Sequence, residues 1–249
     1  MRQPFQGVTN IVRFNWHFYL IALVGVGLGL WLASWLGGWW MVAGLCVAFG
    51  AITTMIISLI VSWYIYDWSD LYRMTWLPDL EPGSRMVNIH AGFDETSALL
   101  AKRYPDAQLQ VFDFYDPQLH TEVSIKRARK AYPTYPGTEV ISTAEISLAD
   151  NSVDVIFLLL AAHEIRDDDE RSAFFGRLSY ALKPGGSIIV TEHLRDSANF
   201  LAYTVGAFHF LPYEDWQRTF RKAALAVKKE GKLTPFLTTF TLVAYADSP

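Results

Sequence analysis

From Trp16 to Tyr66 the chain contains no Asp, Glu, Lys or Arg. Split at Gly37-Gly38, this stretch yields two runs, 16–36 and 40–66, each as long as the roughly 20 apolar residues that cross a bilayer core. A removable signal sequence does not fit. The second run follows at once, and Trp35, Trp39 and Trp40 suit a membrane interface better than a cleavage site. The expected element is a two-helix transmembrane hairpin, with Gly25 and Gly29 offering small-residue spacing for close helix packing. Arg2 and Arg13 precede it, Arg73 and Arg85 follow it, and the turn is uncharged, so both ends are expected on the cytoplasmic side. Trp63, Tyr64, Tyr66, Trp68, Tyr72 and Trp76 then form an aromatic collar, read either as a headgroup-level amphipathic segment or as a plain helix anchor.

Past the breaker-rich Pro78–Gly83, everything reads as soluble α/β, which divides the 249 residues into 1–77 and 78–249. Strands are expected at Arg85–Ile89, Leu109–Phe112 and near Val140–Ser142, with helices at Glu95–Arg103 and His120–Ala131. A further helix from Tyr213 to about Ala226 leads into a terminal antiparallel pair, Val227–Lys232 and Phe236–Ala244. Lys126, Arg127, Arg129 and Lys130 read as solvated surface, with Glu122 placed to pair with Lys126 across one turn. A net charge of -4 argues against nucleic acid as a partner. The lone Cys46 excludes a disulfide framework or a thiolate metal cluster.

The stretch 151–196 carries the most information. Val153–Ala162 is an apolar run suited to a strand buried on both faces, and polar His163 and Glu164 end it abruptly. Acidic Asp167–Glu170 opens a helix whose apolar stripe is Phe174, Phe175, Leu178, Ala181 and Leu182. Lys183-Pro184-Gly185-Gly186 is expected to stop that helix in a turn before a second strand, Ser187–Thr191, which ends in Glu192-His193. Alternating strands and helices imply a doubly wound, mostly parallel α/β sheet. Ligands bind beyond the carboxyl ends of such strands, where these four polar residues fall.

Ser152-Val153-Asp154 before that strand and Leu-Lys-Pro-Gly-Gly before the next resemble the middle of class I S-adenosylmethionine-dependent methyltransferases of the type 11 kind. The resemblance spans Arg85 to the C-terminus and leaves out the hairpin. It implies a Rossmann-like sheet and S-adenosyl-L-methionine as cofactor. Where the family has an acid followed by Gly-x-Gly-x-Gly, this chain has Asn88, Ile89, His90, Ala91, Gly92, Phe93 and Asp94, keeping only the middle glycine. By the resemblance, Asn88, His90 and Gly92 border the methionine part, Asp113 holds the ribose diol with Asp116 as rival, and Thr143 lies by the adenine. Asp94 and Glu95 read either as partners for the cofactor's ammonium or as an N-cap and first-turn acid.

His163 follows the fourth strand, where the family keeps a residue facing the methyl acceptor, and a neutral imidazole there would serve as base. Glu164 would orient its ring, with His193 beside them. His163, Glu164, Glu192, His193 and His209 share no local spacing of a zinc motif, so a supporting hydrogen-bond network is expected rather than a metal. Arg195 reads as an anion ligand or as a salt-bridge partner of Asp196. Phe200, Tyr203, Phe208, Phe210 and Trp216 read as an acceptor cover or as core. The whole chain reads as an integral membrane enzyme of a bacterial inner membrane, its catalytic domain cytoplasmic, methylating a lipophilic acceptor such as a lipid, quinone-like compound or hydrophobic thiol. A membrane-bound scaffold that has lost catalysis, and a tethered methyltransferase of a soluble small molecule, are the alternatives.

Overall fold

The computed structural model describes residues 2–245. Helices α1 (Gln6–Leu36) and α2 (Trp39–Trp63) form an antiparallel pair of 31 and 25 residues. At about 1.5 Å per residue either is long enough for a ~30 Å hydrocarbon core. Their close approach centres on Gly44, where a Cβ would lie 2.7 Å from that of Ala33 and 3.9 Å from the Gly29 carbonyl, whereas a Cβ on Gly25 or on Gly29 itself would meet nothing within 4 Å.

Helix α1 starts well before Trp16, and this extension clasps the α/β unit. Phe14 meets Phe93 edge-on at 5.7 Å, and the Tyr132 hydroxyl donates to Asn10 Oδ1 at 2.9 Å. Arg127 donates to the Phe14 carbonyl at 2.6 Å. After α2 the chain makes one wide helical turn, Tyr64–Trp68. Asp67 in that turn accepts from the Gly7 and Val8 amides at 2.7 and 2.8 Å, satisfying the exposed donors that open α1. Only glycine fits at position 7, because a Cβ there would lie 2.4 Å from Tyr66 Cβ.

The aromatic collar is mostly turned inward. Tyr72 donates to Glu95 Oε2 at 2.7 Å, Arg2 reaches Glu95 Oε1 at 2.6 Å, and the Trp76 indole donates to the Leu71 carbonyl. Leu71, Met74 and Leu77 are buried, whereas Trp68 is exposed. Residues 64–77 thus join hairpin to domain and share its core, with Met74 and Leu77 packed beside Met86 and Leu100.

The sheet has the order β3-β2-β1-β4-β5-β7-β6. Strands β1 (Arg85–His90), β2 (Gln108–Asp113), β3 (Glu139–Val140), β4 (Val153–Leu159) and β5 (Leu182–His193) run parallel. Strand β7 (Leu237–Ala244) is antiparallel to both β5 and β6 (Leu225–Thr234). Helices α3 (Ser97–Arg103), α4 (Val123–Ala131), α5 (Asp168–Ala181), α6 (Ser197–Tyr203) and α7 (Tyr213–Lys222) complete the unit. The order reverses between β1 and β4, which opens a crevice at their carboxyl ends. Asp167 caps α5 as its acidic start implies, accepting from Asp169 and Glu170 amides.

One expectation is overturned locally. Lys183–Gly186 is no turn ahead of the strand but an arch inside β5: Val153 pairs with Leu182, and Val155 next pairs with Ser187. Gly185 takes φ +79, and Lys183 Nζ pairs with Asp154 at 2.6 Å. Backbone pairing with β4 thereby resumes with the apolar alternation kept.

Candidate functional site

Two polar centres lie at the carboxyl ends of the parallel strands. The first is at β1 and β2. Gly92, at φ +90, turns the chain after His90, and a Cβ on it would lie 2.9 Å from the Tyr115 ring. Asp113 ends β2 almost fully buried, accepting from the Tyr115 amide at 2.9 Å and from Arg129 Nη1 at 2.5 Å. Arg129 also donates to the Gly92 carbonyl and lies 4.3 Å over the Tyr115 ring. It narrows the cleft between His90, Asp94 and Tyr132 to about 110 Å³. That is well below the roughly 300 Å³ at which small-molecule pockets begin.

His90 Nδ1 accepts from the Gly92 amide at 3.2 Å, which assigns its proton to Nε2. Burial lowers its pKa, against the pull of Asp94 and Asp113. Asn88 donates from its amide to the Thr96 and Ser97 hydroxyls at 2.9 and 2.8 Å. Buried Asn88 Oδ1, His90 Nε2 and Asp94 Oδ2 have no hydrogen-bond partner among the described residues. Asp94 Oδ1 accepts from the Thr96 and Ser97 amides at 2.9 Å, an N-terminal cap for α3. Glu95 is committed to Arg2 and Tyr72. Asp116 accepts from the Gln118 amide, as a turn former does. Thr143 is not brought to this cleft: its hydroxyl bonds Glu170 at the start of α5.

The second centre joins four segments. Glu192, with no exposed surface, accepts from His163 N at 3.2 Å and Nδ1 at 2.7 Å. His163 Nε2 is 3.3 Å from Glu164 Oε1, the same oxygen is 3.5 Å from His209 Nε2, and His209 Nδ1 is 3.1 Å from Glu122 Oε1. Glu122, expected to pair with Lys126, serves this centre instead. Burial opposes charge on His163, but Glu192 and Glu164 outweigh it and raise its pKa to about 10. Glu164 is burdened by burial too, yet His163 and His209 hold its pKa well below the carboxylate range. These carboxylates favour the imidazolium form of His163 over the neutral base that its position suggests.

The neutral imidazole is His193. It donates from Nδ1 to Asn199 Oδ1 at 3.0 Å, accepts at Nε2 from the Tyr66 hydroxyl at 2.9 Å, and stacks on Phe210 at 4.6 Å. Burial pushes its pKa down to about 4, more than the Asn199 bond restores. Arg195 donates to the Phe208 and Phe210 carbonyls, and Asp196 caps α6 and pairs with Lys232. Tyr203 and Phe210 line the second centre's cavity, Phe200 and Phe208 are exposed, and Trp216 is core. The cavity is about 930 Å³ and extends from His163, Glu164 and His193 to Ala22, Met55 and Ser58 of the helix pair.

A family profile described as "Methyltransferase domain" matches residues 88–190, from Asn88 in β1 to Val190 in β5. Residues 88–190 form a class I methyltransferase domain. A SAM-dependent methyltransferase from Aquifex aeolicus shares the fold at a TM-score of 0.53 with 14% identity, covering 76% of this chain and 97% of that one. A Pyrococcus horikoshii protein does so at 0.50 with 12% identity, covering 69% and 85%. No curated protein matches the chain. S-adenosylmethionine is the cofactor expected of this methyltransferase. The residues at the first centre fit it: an acid ends β2, a positive-φ glycine permits close backbone approach, and buried polar atoms of Asn88, His90 and Asp94 want partners. Sequence reasoning missed Arg129, Glu122 and Tyr66 as members of these centres. Tyr66 was visible as a collar aromatic, but nothing in local spacing marked any of the three.

Proposed function

We propose that this methyltransferase is anchored in a membrane by α1 and α2 and methylates a lipophilic acceptor drawn from the cytoplasmic leaflet. One observation carries the reading: the cavity beside His163 and His193 continues between catalytic unit and apolar hairpin, reaching Ala22, Met55 and Ser58. A water-soluble acceptor gains nothing from such walls, whereas an acyl or prenyl chain is desolvated by them. Exposed Phe200, Leu201, Val205 and Phe208 lie on the segment packed against α2, where they suit a bilayer surface.

When bound, the cofactor supplies an electrophilic methyl group on a sulfonium. Asp113 would hold its ribose hydroxyls, Gly92 would allow backbone approach, and Asn88, His90 and Asp94 would face its methionine end. Arg129 must leave Asp113 for this to happen. His193 is kept neutral and accepts from the Tyr66 hydroxyl, so a proton released by the acceptor passes through Tyr66 to His193 Nε2. The charged His163–Glu164–His209 group orients the acceptor's polar head.

The test incubates the detergent-purified chain with isotope-labelled S-adenosylmethionine and lipids extracted from its host membrane. Label in the organic phase, lost on His193→Gln with cofactor affinity kept, is the expected outcome. Label confined to water-soluble products would overturn the lipophilic acceptor.

A further inference from the structure

The sequence argues against a metal, since no two candidate ligands share a motif's spacing. The fold nevertheless gathers two imidazoles and a carboxylate from separate places: His163 and Glu164 from the turn after β4, His209 from the turn after α6. One ligand atom from each lies within 4.8 Å of the others. The Glu164 oxygen stands 3.3 Å from His163 Nε2 and 3.5 Å from His209 Nε2. Ligands about 2.1 Å from a shared tetrahedral ion stand roughly 3.4 Å apart, so little movement is needed to close the set.

The far side of each ring strengthens the case. His163 Nδ1 is 2.7 Å from Glu192 and His209 Nδ1 is 3.1 Å from Glu122. A carboxylate behind each imidazole is what fixes the tautomer of a metal-bound histidine and raises its basicity. Charge agrees as well. Three carboxylates converge on the two rings, and Arg166, 3.8 Å from Glu164 and 2.7 and 2.9 Å from His209 Nδ1 and Nε2, is the one Lys or Arg paired with them among the described residues and must swing off Nε2 for an ion to enter. An ion entering the set displaces the proton that His163 holds, and with both rings neutral two negative charges are left for a divalent ion to balance. His163, Glu164 and His209 all line the large cavity.

We infer that His163, Glu164 and His209 form a binding site for a divalent transition-metal ion, with Glu192 and Glu122 as the carboxylates that orient its histidines. Two nitrogens and one oxygen suit zinc, manganese or ferrous iron rather than magnesium or calcium. Three protein ligands leave open coordination toward the cavity, where a hydroxyl or thiol head can bind the ion and lose its proton more readily. That use of the ion rests on the methyl-transfer reading above; the binding of the ion does not.

The experiment strips the full-length protein with a chelator in detergent, dialyses it against Zn²⁺ or Co²⁺ at neutral pH, and measures bound metal and the visible spectrum of the Co²⁺ form. The expected result is one ion per chain with a Co²⁺ spectrum of nitrogen and oxygen ligation. His209→Ala and Glu164→Gln abolish it, Glu122→Gln weakens affinity by about 10–100-fold, and His120→Gln, outside the cluster, leaves it unchanged. Thermal melts of each variant separate loss of the site from loss of the fold, and Glu122→Gln keeps the ligands themselves intact. Substoichiometric wild-type binding, or equal binding in wild type and in folded His209→Ala and Glu164→Gln, overturns the site. Because no methyl transfer is read, a protein that binds the ion but methylates no lipid keeps the site and overturns only the acceptor.

Discussion

Arg129 holds Asp113 by an ion pair of 2.5 Å, at the carboxylate that ends β2. The acid is buried while the arginine is partly open to solvent, so the pair closes the cleft from outside. Helix α4, which carries Arg129, is itself tied to α1 through Arg127 and the Phe14 carbonyl. Helix α4 thus links the ion pair over the cleft to the first hairpin helix.

Arg129→Gln removes this competitor. It is expected to tighten S-adenosylmethionine binding by about 1–2 kcal/mol while lowering the stability of the cofactor-free protein by about 1–3 kcal/mol, since Asp113 is left without its charged partner. Calorimetric titration and thermal melts check the two effects separately. Unchanged or weaker binding would show that Arg129 assists the cofactor rather than blocking it.

Asp113→Asn keeps the shape but loses the charge-assisted acceptor, and is expected to weaken cofactor binding by about 1.5–3 kcal/mol. The same titration reads it. Thr143→Ala, whose parent hydroxyl bonds Glu170, should leave affinity where it is.

Glycines at two positions of α1 should respond in opposite ways. Gly7→Ala drives a methyl into Tyr66 Cβ, only 2.4 Å from the added atom, and is expected to cost about 1–3 kcal/mol. Gly25→Ala meets nothing within 4 Å and should be neutral or stabilising by about 0.4–1 kcal/mol. Melting of both variants in one detergent decides it, and equal effects would mean that the Gly7–Tyr66 junction does not hold the hairpin to the domain.

Acid should destabilise the fold through His193. An unfolded histidine takes up its proton near pH ~6.5, whereas in the folded chain burial pushes this pKa down to about 4. In that window the unfolded chain binds more protons, so the contribution is intact above about pH 6.5 and shrinks as pH falls, by about 2 kcal/mol on reaching pH ~5. Wild type minus His193→Gln, followed by melting temperature between those pH values, isolates it from His90, which titrates in the same direction. A parallel pH dependence in the variant would rule His193 out as the source.

The sheet was legible because its central strands β1 and β4 are buried on both faces, and Val153–Leu159 reads as a continuous apolar run with breakers on either side. The placement of Asp113, Gly92, His163 and Glu164 at the carboxyl ends of strands was legible by their offsets, while their roles came from the family resemblance. What escaped depends on distance in the chain. The partner of His209 is Glu122, and that of His193 is Tyr66, separated by 127 positions. The amphipathic look of Tyr66, Tyr72 and Trp76 is the same whether the apolar face meets lipid or protein, so periodicity alone had no means of turning them inward. Lys183–Gly186 misled for a related reason: its residues form turns, and here the turn is folded into a strand.

The hairpin end of the large cavity gives the most direct check on the proposed acceptor. Ser58 of α2 lines the large cavity, whereas Arg129 lines the smaller cofactor cleft and His90 borders both. Ser58→Trp fills the passage between hairpin and domain and leaves the residues Asp113, His193 and Tyr66 themselves unaltered. If acceptors enter along the hairpin, the variant should lose about 10-fold or more in kcat/KM for a long-chain acceptor, an effect of about 1.4 kcal/mol, with cofactor affinity unchanged and a short-chain analogue affected less. The difference between the two acceptors matters most, because a general disturbance of the fold would lower both. If long and short acceptors fall together while the melting temperature holds, the cavity is a feature of packing rather than the acceptor's route, and the acceptor must reach His193 from the aqueous side.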